Sequence, residues 1–194
     1  MTAADITMDY VDLRDLRPHE DVIKNKLIDT IISIKETKSV IPIIIDEKKF
    51  LIIDGHHRAE AFRILGYRKI PTYAVNYSSS LVRVETWFRR IVPNRMASYI
   101  IKSFSSKGST CFEIDGSKIC ANSVYEAYWK LQYLELILKR LNIFLDRNPY
   151  EGFRPPSLSK QVILDVMEKG LRFPPKTSRH LYDFFIPKDR VKLQ

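Results

Sequence analysis

Apolar positions set the first element out clearly. Val22, Ile23, Leu27, Ile28, Ile31, Ile32 and Ile34 recur at helical spacing and predict an amphipathic helix over about residues 21–35 with a broad apolar face. A short strand over 11–16 precedes it, and Pro18 breaks that strand, which leaves Glu20 at the helix entrance. Residues 42–45 and 50–53 are short apolar runs around the polar Asp46-Glu47-Lys48-Lys49, the pattern of a hairpin. The second run stops at Gly55 and hands over to a helix that continues to about residue 65, where Gly66 closes it, and 70–75 form another strand. Residues 8–78 therefore read as one α/β unit.

Beyond Ser78-Ser79-Ser80 the pattern predicts a strand over 81–91 carrying Trp87 and a short helix over 96–106. A Gly-, Ser- and Cys-containing hairpin follows, with strands near 110–114 and 118–121. Ser123 starts a strongly apolar helix through about Phe144, in which Tyr125, Tyr128, Trp129, Leu131, Tyr133 and Leu134 read as packing residues. A loop with Pro149, Pro155 and Pro156 leads to a last amphipathic helix over 159–169, which Gly170 ends. The chain then runs into Pro174-Pro175-Lys176-Thr177-Ser178-Arg179-His180.

Composition narrows the class. A chain of 194 residues with 45% hydrophobic content can bury a sizeable core without staples. No apolar run approaches the length of a membrane span, and residues 1–15 lack the apolar stretch of a signal peptide, so a cytoplasmic protein is expected. Cys111 and Cys120 are too few for a disulfide framework or a zinc site; free thiols or at most one bridge are expected. The net charge of +9 favours an anionic partner, from nucleotide to nucleic acid. Nucleic acid itself is disfavoured, because neither a basic stripe with interleaved aromatics nor a helix-turn-helix signature is evident.

The densest chemistry lies in Asp54-Gly55-His56-His57-Arg58, between strand and helix. Gly55 permits an unusual backbone, the first N–H groups of the helix have no intrahelical partner, and Arg58 adds charge, a combination suited to phosphate. Asp54 can hold a metal or orient a hydroxyl. The alternative is a capped strand-turn-helix with histidines facing water. All four histidines fall in three clusters: His19 in Arg17-Pro18-His19-Glu20, the pair in this turn, and His180. Enzymes commonly collect reactive groups from separate turns in this way.

The run IIDGHHRAEAFRILGYRKIPTYAVNY resembles the core motif of the ParB/sulfiredoxin-like superfamily, in the branch whose turn reads DGHHR. That branch includes archaeal free-serine kinases, and three further segments are similar to theirs: RPHEDVIKNKL, VETWFRR and FPPKTSRH. The resemblance is carried by residues 8–90 and 156–183 and is weak over 91–155. It implies a ParB/sulfiredoxin-like mixed-sheet α/β core, a smaller mostly helical second lobe and a C-terminal segment returning to the active site. The implied divisions are a catalytic core at 1–90, an α-rich second lobe at 91–155, and a C-terminal helix with substrate-binding segment at 156–194.

By the same resemblance, the protein makes O-phospho-L-serine from L-serine with ATP or ADP and magnesium, feeding cysteine or serine metabolism. Glu20 is implied as general base and Asp54 as an essential acid near magnesium or serine. Gly55, His56, His57 and Arg58 form with Asp54 the nucleotide and phosphate turn. Ser33, Trp87, Lys176, Thr177, Ser178, Arg179 and His180 are implied to bind serine, Ser178 standing where the usual segment has Thr. The rival is a ParB-like nucleotide-binding or DNA-associated module without kinase activity; partitioning proteins, however, carry an arginine-rich turn instead of DGHHR. A sulfiredoxin-like enzyme needs a cysteine in the turn, which is absent, and a nuclease needs a paired-carboxylate cluster that does not stand out.

Overall fold

The computed structural model describes residues 6–92 and 94–193. The first five residues of the expected 1–90 core, with Pro93 and Gln194, lie outside the described residues. In chain order the elements are β1 (Met8–Asp12), α1 (Lys24–Thr37), β2 (Ser39–Val40), β3 (Ile43–Asp46), β4 (Ile52–Asp54), α2 (His56–Ile64) and β5 (Lys69–Val75). There follow β6 (Val82–Thr86), β7 (Phe88–Ile91), α3 (Arg95–Ser103), β8 (Thr110–Ile114), β9 (Ser117–Ala121) and α4 (Val124–Arg140). The chain closes with β10 (Leu145–Asn148), α5 (Lys160–Glu168), β11 (Ser178–Tyr182) and β12 (Val191–Lys192).

The chain divides into two units. The first comprises the described residues of Met1–Arg83, Ile163–Pro175 and His180–Gln194; the second comprises Val84–Val162 and Lys176–Arg179. In the first unit a four-stranded sheet has the order β1-β5-β3-β4. β1 runs antiparallel to β5, β5 parallel to β3, and β3 antiparallel to β4, so the sheet is mixed as expected. The β3–β4 hairpin turns on Asp46, a buried carboxylate that accepts the N–H of Lys49 at 2.7 Å and of Tyr77 at 3.1 Å. Ile34 of α1, Ala59, Ala61 and Phe62 of α2, and Ile43, Ile45, Ile52 and Ile70 of the sheet share one core. The broad apolar face expected of α1 is narrower than its sequence suggests: Ile34 alone is fully buried, whereas Ile28 and Ile32 are exposed.

The second unit holds α3 and α4, the β8–β9 hairpin and a ribbon of β7 with β10. Its core joins Ala97 and Ile101 of α3 to Phe112, Ile114 and Ile119 of the hairpin and Ala127, Leu131, Leu134 and Leu138 of α4. Ser123 accepts the N–H of Glu126 at 3.2 Å, and Glu126 reaches back to the N–H of Asn122 at 3.1 Å, which fixes the start of α4. The helix ends at Arg140, short of the expected Phe144, because Asn142 takes a left-handed conformation with φ 55° and the chain turns into β10. Tyr128, Leu131 and Leu134 do pack inside, but Tyr133 is 61% exposed and does not. Cys111 and Cys120 face each other across the hairpin and form one disulfide, so neither is a free thiol.

One further expectation is corrected. The single strand over 81–91 is two strands, β6 and β7, interrupted at Trp87. After Gly170 the chain bridges at Phe173, turns at Pro175 and Lys176, where Lys176 takes φ 61°, and enters β11 at Ser178.

Candidate active site

In the first unit the Arg17-Pro18-His19-Glu20 segment is held from both sides by backbone bonds. The N–H of Arg17 donates to Phe50 and its carbonyl accepts from Ile52, at 2.9 and 3.0 Å. On the other side Phe173 donates to His19 at 2.8 Å and accepts from Asp21 at 2.9 Å, so Glu20 and Phe173 form a parallel bridge. Two paired neighbours leave an extended segment little freedom. Glu20 is thus fixed in place and 9% exposed.

Gly55 starts α2 with φ 107°, a conformation that side chains rarely adopt. A Cβ there would lie 2.4 Å from Ile43 Cγ2, so the turn accepts only glycine. Beyond it, His56 and His57 point back to the Glu20 segment. His57 Nε2 accepts the N–H of Ile23 at 2.9 Å, at the start of α1, and His56 Nε2 accepts the N–H of His19 at 3.4 Å. An imidazole nitrogen that accepts a backbone N–H carries no proton there. Neither histidine of the turn is a simple solvent-facing ring.

His19 is fully buried, and its Nδ1 lies 2.9 Å from the carbonyl of Ile52. Nδ1 therefore carries the proton and Nε2 lies 3.8 Å from Glu20 Oε1. Burial lowers the pKa of His19 to about 4, against a smaller upward pull from the Ile52 carbonyl. His56 is driven well below the ordinary value, first by burial and then by His19, His180, His57 and Arg172. The ring of His19 stands edge-on to those of His56 and His180, with centroids at 4.6 and 5.5 Å. His180 Nε2 in turn is 3.1 Å from the hydroxyl of Tyr77. Three histidines from distant parts of the sequence thus meet at the ring of His19, which itself adjoins Glu20. At neutral pH His19 contributes no positive charge that would weaken Glu20 as a base.

Arg58 is placed differently from a free phosphate-gripping cation. Its Nη1 donates to the carbonyls of Ile41 and Pro42 at 2.9 and 2.7 Å, and its Nη2 pairs with Asp54 Oδ2 at 2.5 Å. Asp54 is exposed, with Oδ2 on the arginine. Ser33, on α1, accepts from Arg190 at 3.3 Å. No described contact joins Ser33 to the histidine turn.

The second unit holds another group. Trp87 Nε1 donates to the carbonyl of Ser178 at 3.0 Å. Lys176 Nζ and Arg179 Cζ lie over its ring at 5.5 and 5.7 Å, cation–π distances. Arg179 also faces the ring of Tyr150 at 5.2 Å and pairs with Glu85 at 3.0 Å. Thr177 is fully buried. Beneath this group Arg89, 2% exposed, pairs with the buried Glu135 at 2.8 Å, and Arg147 pairs with the same carboxylate. Arg89 also donates to the carbonyls of Trp87 and Lys176, the latter at 3.2 Å, so one guanidinium fixes both ends of the cluster.

Tyr77, Tyr182, Tyr150, Arg89 and Glu135 were not singled out from the sequence. Tyr182 alone had a sequence signal, since it stands two positions from His180 on what is now a strand, where alternate side chains share a face.

The first unit is thus a mixed sheet with a glycine-initiated helix at the end of β4 and buried polar groups gathered near that turn. A family model described as the ParB N-terminal domain matches residues 2–85. A "ParB-like protein" of Sulfolobus acidocaldarius is 36% identical over 96% of this chain and 96% of its own length. An "ATP-dependent L-serine kinase" of Staphylothermus marinus is 25% identical, covering 94% of this chain and 90% of its own. A free serine kinase solved in complex with AMP superposes with a TM-score of 0.78, at 18% identity, over 98% of this chain and 95% of that one. The chain belongs to the ParB-like family.

Proposed function

We propose that this protein is a free L-serine kinase, which moves a phosphoryl group from ATP or ADP to the serine hydroxyl and releases O-phospho-L-serine. The observation that carries the reading is Glu20: a fixed carboxylate beside an uncharged imidazole, in one unit with a glycine-initiated helix start. The serine-kinase relative of near-equal length supports it.

Glu20 accepts the proton of the serine hydroxyl as the seryl oxygen bonds to phosphorus, and the bond from phosphorus to the departing nucleotide oxygen breaks. ADP then leaves as AMP, or ATP as ADP. The backbone N–H groups at the start of α2 face developing negative charge without a side-chain cap to compete. His56 and His57 hold this turn against the Glu20 segment and so keep base and phosphate site in register. Arg58 positions Asp54 in place of gripping phosphate with its whole fork.

Among the described residues no three His, Cys, Asp or Glu side chains are arranged to hold a metal by themselves. Magnesium commonly binds through one or two carboxylates together with substrate phosphates, and Asp54, exposed and with only Oδ2 on Arg58, fits that requirement. The ion neutralises phosphate charge when bound. Within the second unit, the cations of Lys176 and Arg179 over Trp87 suit an anionic group such as the serine carboxylate. The product suits cysteine or serine metabolism. Among the described residues no helix is long and apolar enough to cross a membrane.

The test is incubation of L-serine and magnesium with ATP or ADP, each freshly purified, followed by a phosphoserine assay. Phosphoserine with at least one donor is expected. Nucleotide binding without phosphoserine formation replaces the kinase with a ParB-like nucleotide-binding module, a reading favoured by the name of the 36% identical relative.

A further inference from the structure

Tyr182 ends β11, two residues beyond His180, so both side chains project from the same face of the strand. His180 meets the Tyr77 hydroxyl at 3.1 Å. The Tyr182 hydroxyl is buried and has no hydrogen-bond partner among the described residues. Native proteins rarely leave such a group unmatched, and one that is unmatched calls for an explanation. The surroundings supply one. Asp54 and Arg58, at either side of Gly55, and Tyr77 act electrostatically on Tyr182. Burial foremost, with the charge of Asp54, raises its pKa far above the ordinary phenol value, so at working pH the group is a proton-bearing donor.

The donors otherwise at hand in this turn are few. Arg58 has Nη1 on two carbonyls and Nη2 on Asp54. A phosphoryl group at the start of α2 therefore depends on backbone N–H groups and on whatever neutral donor lies beside them. We infer that the Tyr182 hydroxyl is a nucleotide-binding group, donating a hydrogen bond to a phosphoryl oxygen held at the Gly55 turn. The inference rests on the proposed nucleotide site and adds a residue to it. The role suits tyrosine, because a neutral donor binds phosphate without forming an ion pair with Asp54 in its absence.

Tyr182→Phe removes the hydroxyl and keeps the ring, which packs on Phe184 at 5.8 Å between centroids. Calorimetric titration with ADP, without serine, is expected to show about tenfold or greater loss of affinity, the range for a hydrogen bond to a charged group. The melting temperature is expected to stay level or rise, because no internal bond is lost. In turnover assays the KM for nucleotide should increase while that for serine holds. Unchanged ADP affinity overturns the inference, as does a rise confined to the serine KM. A wild-type protein that binds ADP through Tyr182 yet makes no phosphoserine removes the kinase reading and leaves this one standing. A wild-type protein that does not bind ADP overturns both.

Discussion

The two units build their polar groups by opposite means. In the first, His19 and His56 are rings that burial keeps uncharged, His57 is bonded to the backbone of Ile23, and His19 lies beside the Glu20 carboxylate, whose own segment is pinned on both sides. In the second, two cations lie over the ring of Trp87, and its backbone carbonyl is bonded to Arg89 of the buried Arg89–Glu135 pair. Neutral groups beside a carboxylate leave its proton affinity available, which suits proton transfer. Clustered cations on an aromatic face suit recognition of an anion. A site that had only to bind phosphate would gain nothing from hiding its histidines, since burial strips them of charge.

The largest effect on this contrast comes from its second half. Arg89→Met leaves a buried carboxylate with one partner fewer and frees the carbonyls of Trp87 and Lys176, so urea denaturation should show a loss of about 3–5 kcal/mol. Replacing Arg89 and Glu135 together by apolar residues should recover much of that loss. If the single variant is as stable as wild type, the ion pair is not what holds the cluster.

The first half titrates. The pKa of His19 is lowered from 6.5 to about 4 by burial, so the unfolded chain binds a proton more readily than the folded one between those values. Its stabilising contribution is complete above pH 6.5 and is lost as the pH falls toward 4. Urea unfolding at pH 7 and pH 5 should differ by about 2 kcal/mol from His19, with the folded protein less stable at pH 5, and His56 adds in the same direction. A level profile would mean that the ring is hydrated and the contrast between the units is false. The smallest effect concerns the cations over Trp87. Trp87→Leu removes cation–π contacts of about 0.5–2 kcal/mol and should raise the serine KM by roughly 2- to 30-fold, with little change in the nucleotide KM.

The turn was legible in the sequence because local rules govern it: an apolar run, then a glycine whose φ and close approach to Ile43 admit nothing larger, then a helix. The two strands before it, β3 and β4, emerged within a residue or two for the same reason. What eluded the sequence depends on partners far along the chain. Nothing local announces the carbonyls of Ile41 and Pro42 that Arg58 meets, so its tether beside Asp54 was not legible. His19 was visible as a chemical group, but its neutrality follows from burial under distant elements. Arg89 was not singled out, because nothing in Phe88-Arg89-Arg90 separates it from its neighbour and only the fold sets it against Glu135. β10 was read as part of the loop after the helix, because Leu145-Asp146-Arg147-Asn148 has no strand pattern of its own and gains strand geometry only by pairing with β7.

The central claim is that Glu20 takes the serine proton, and its most direct test is the turnover of Glu20→Gln beside wild type, with the melting temperature of each recorded. The amide keeps the shape and loses the basic oxygen, so kcat for phosphoserine formation should fall by about 10²–10⁴-fold while the melting temperature and ADP affinity change little. A folded Glu20→Gln protein that phosphorylates serine at the wild-type rate would contradict the account.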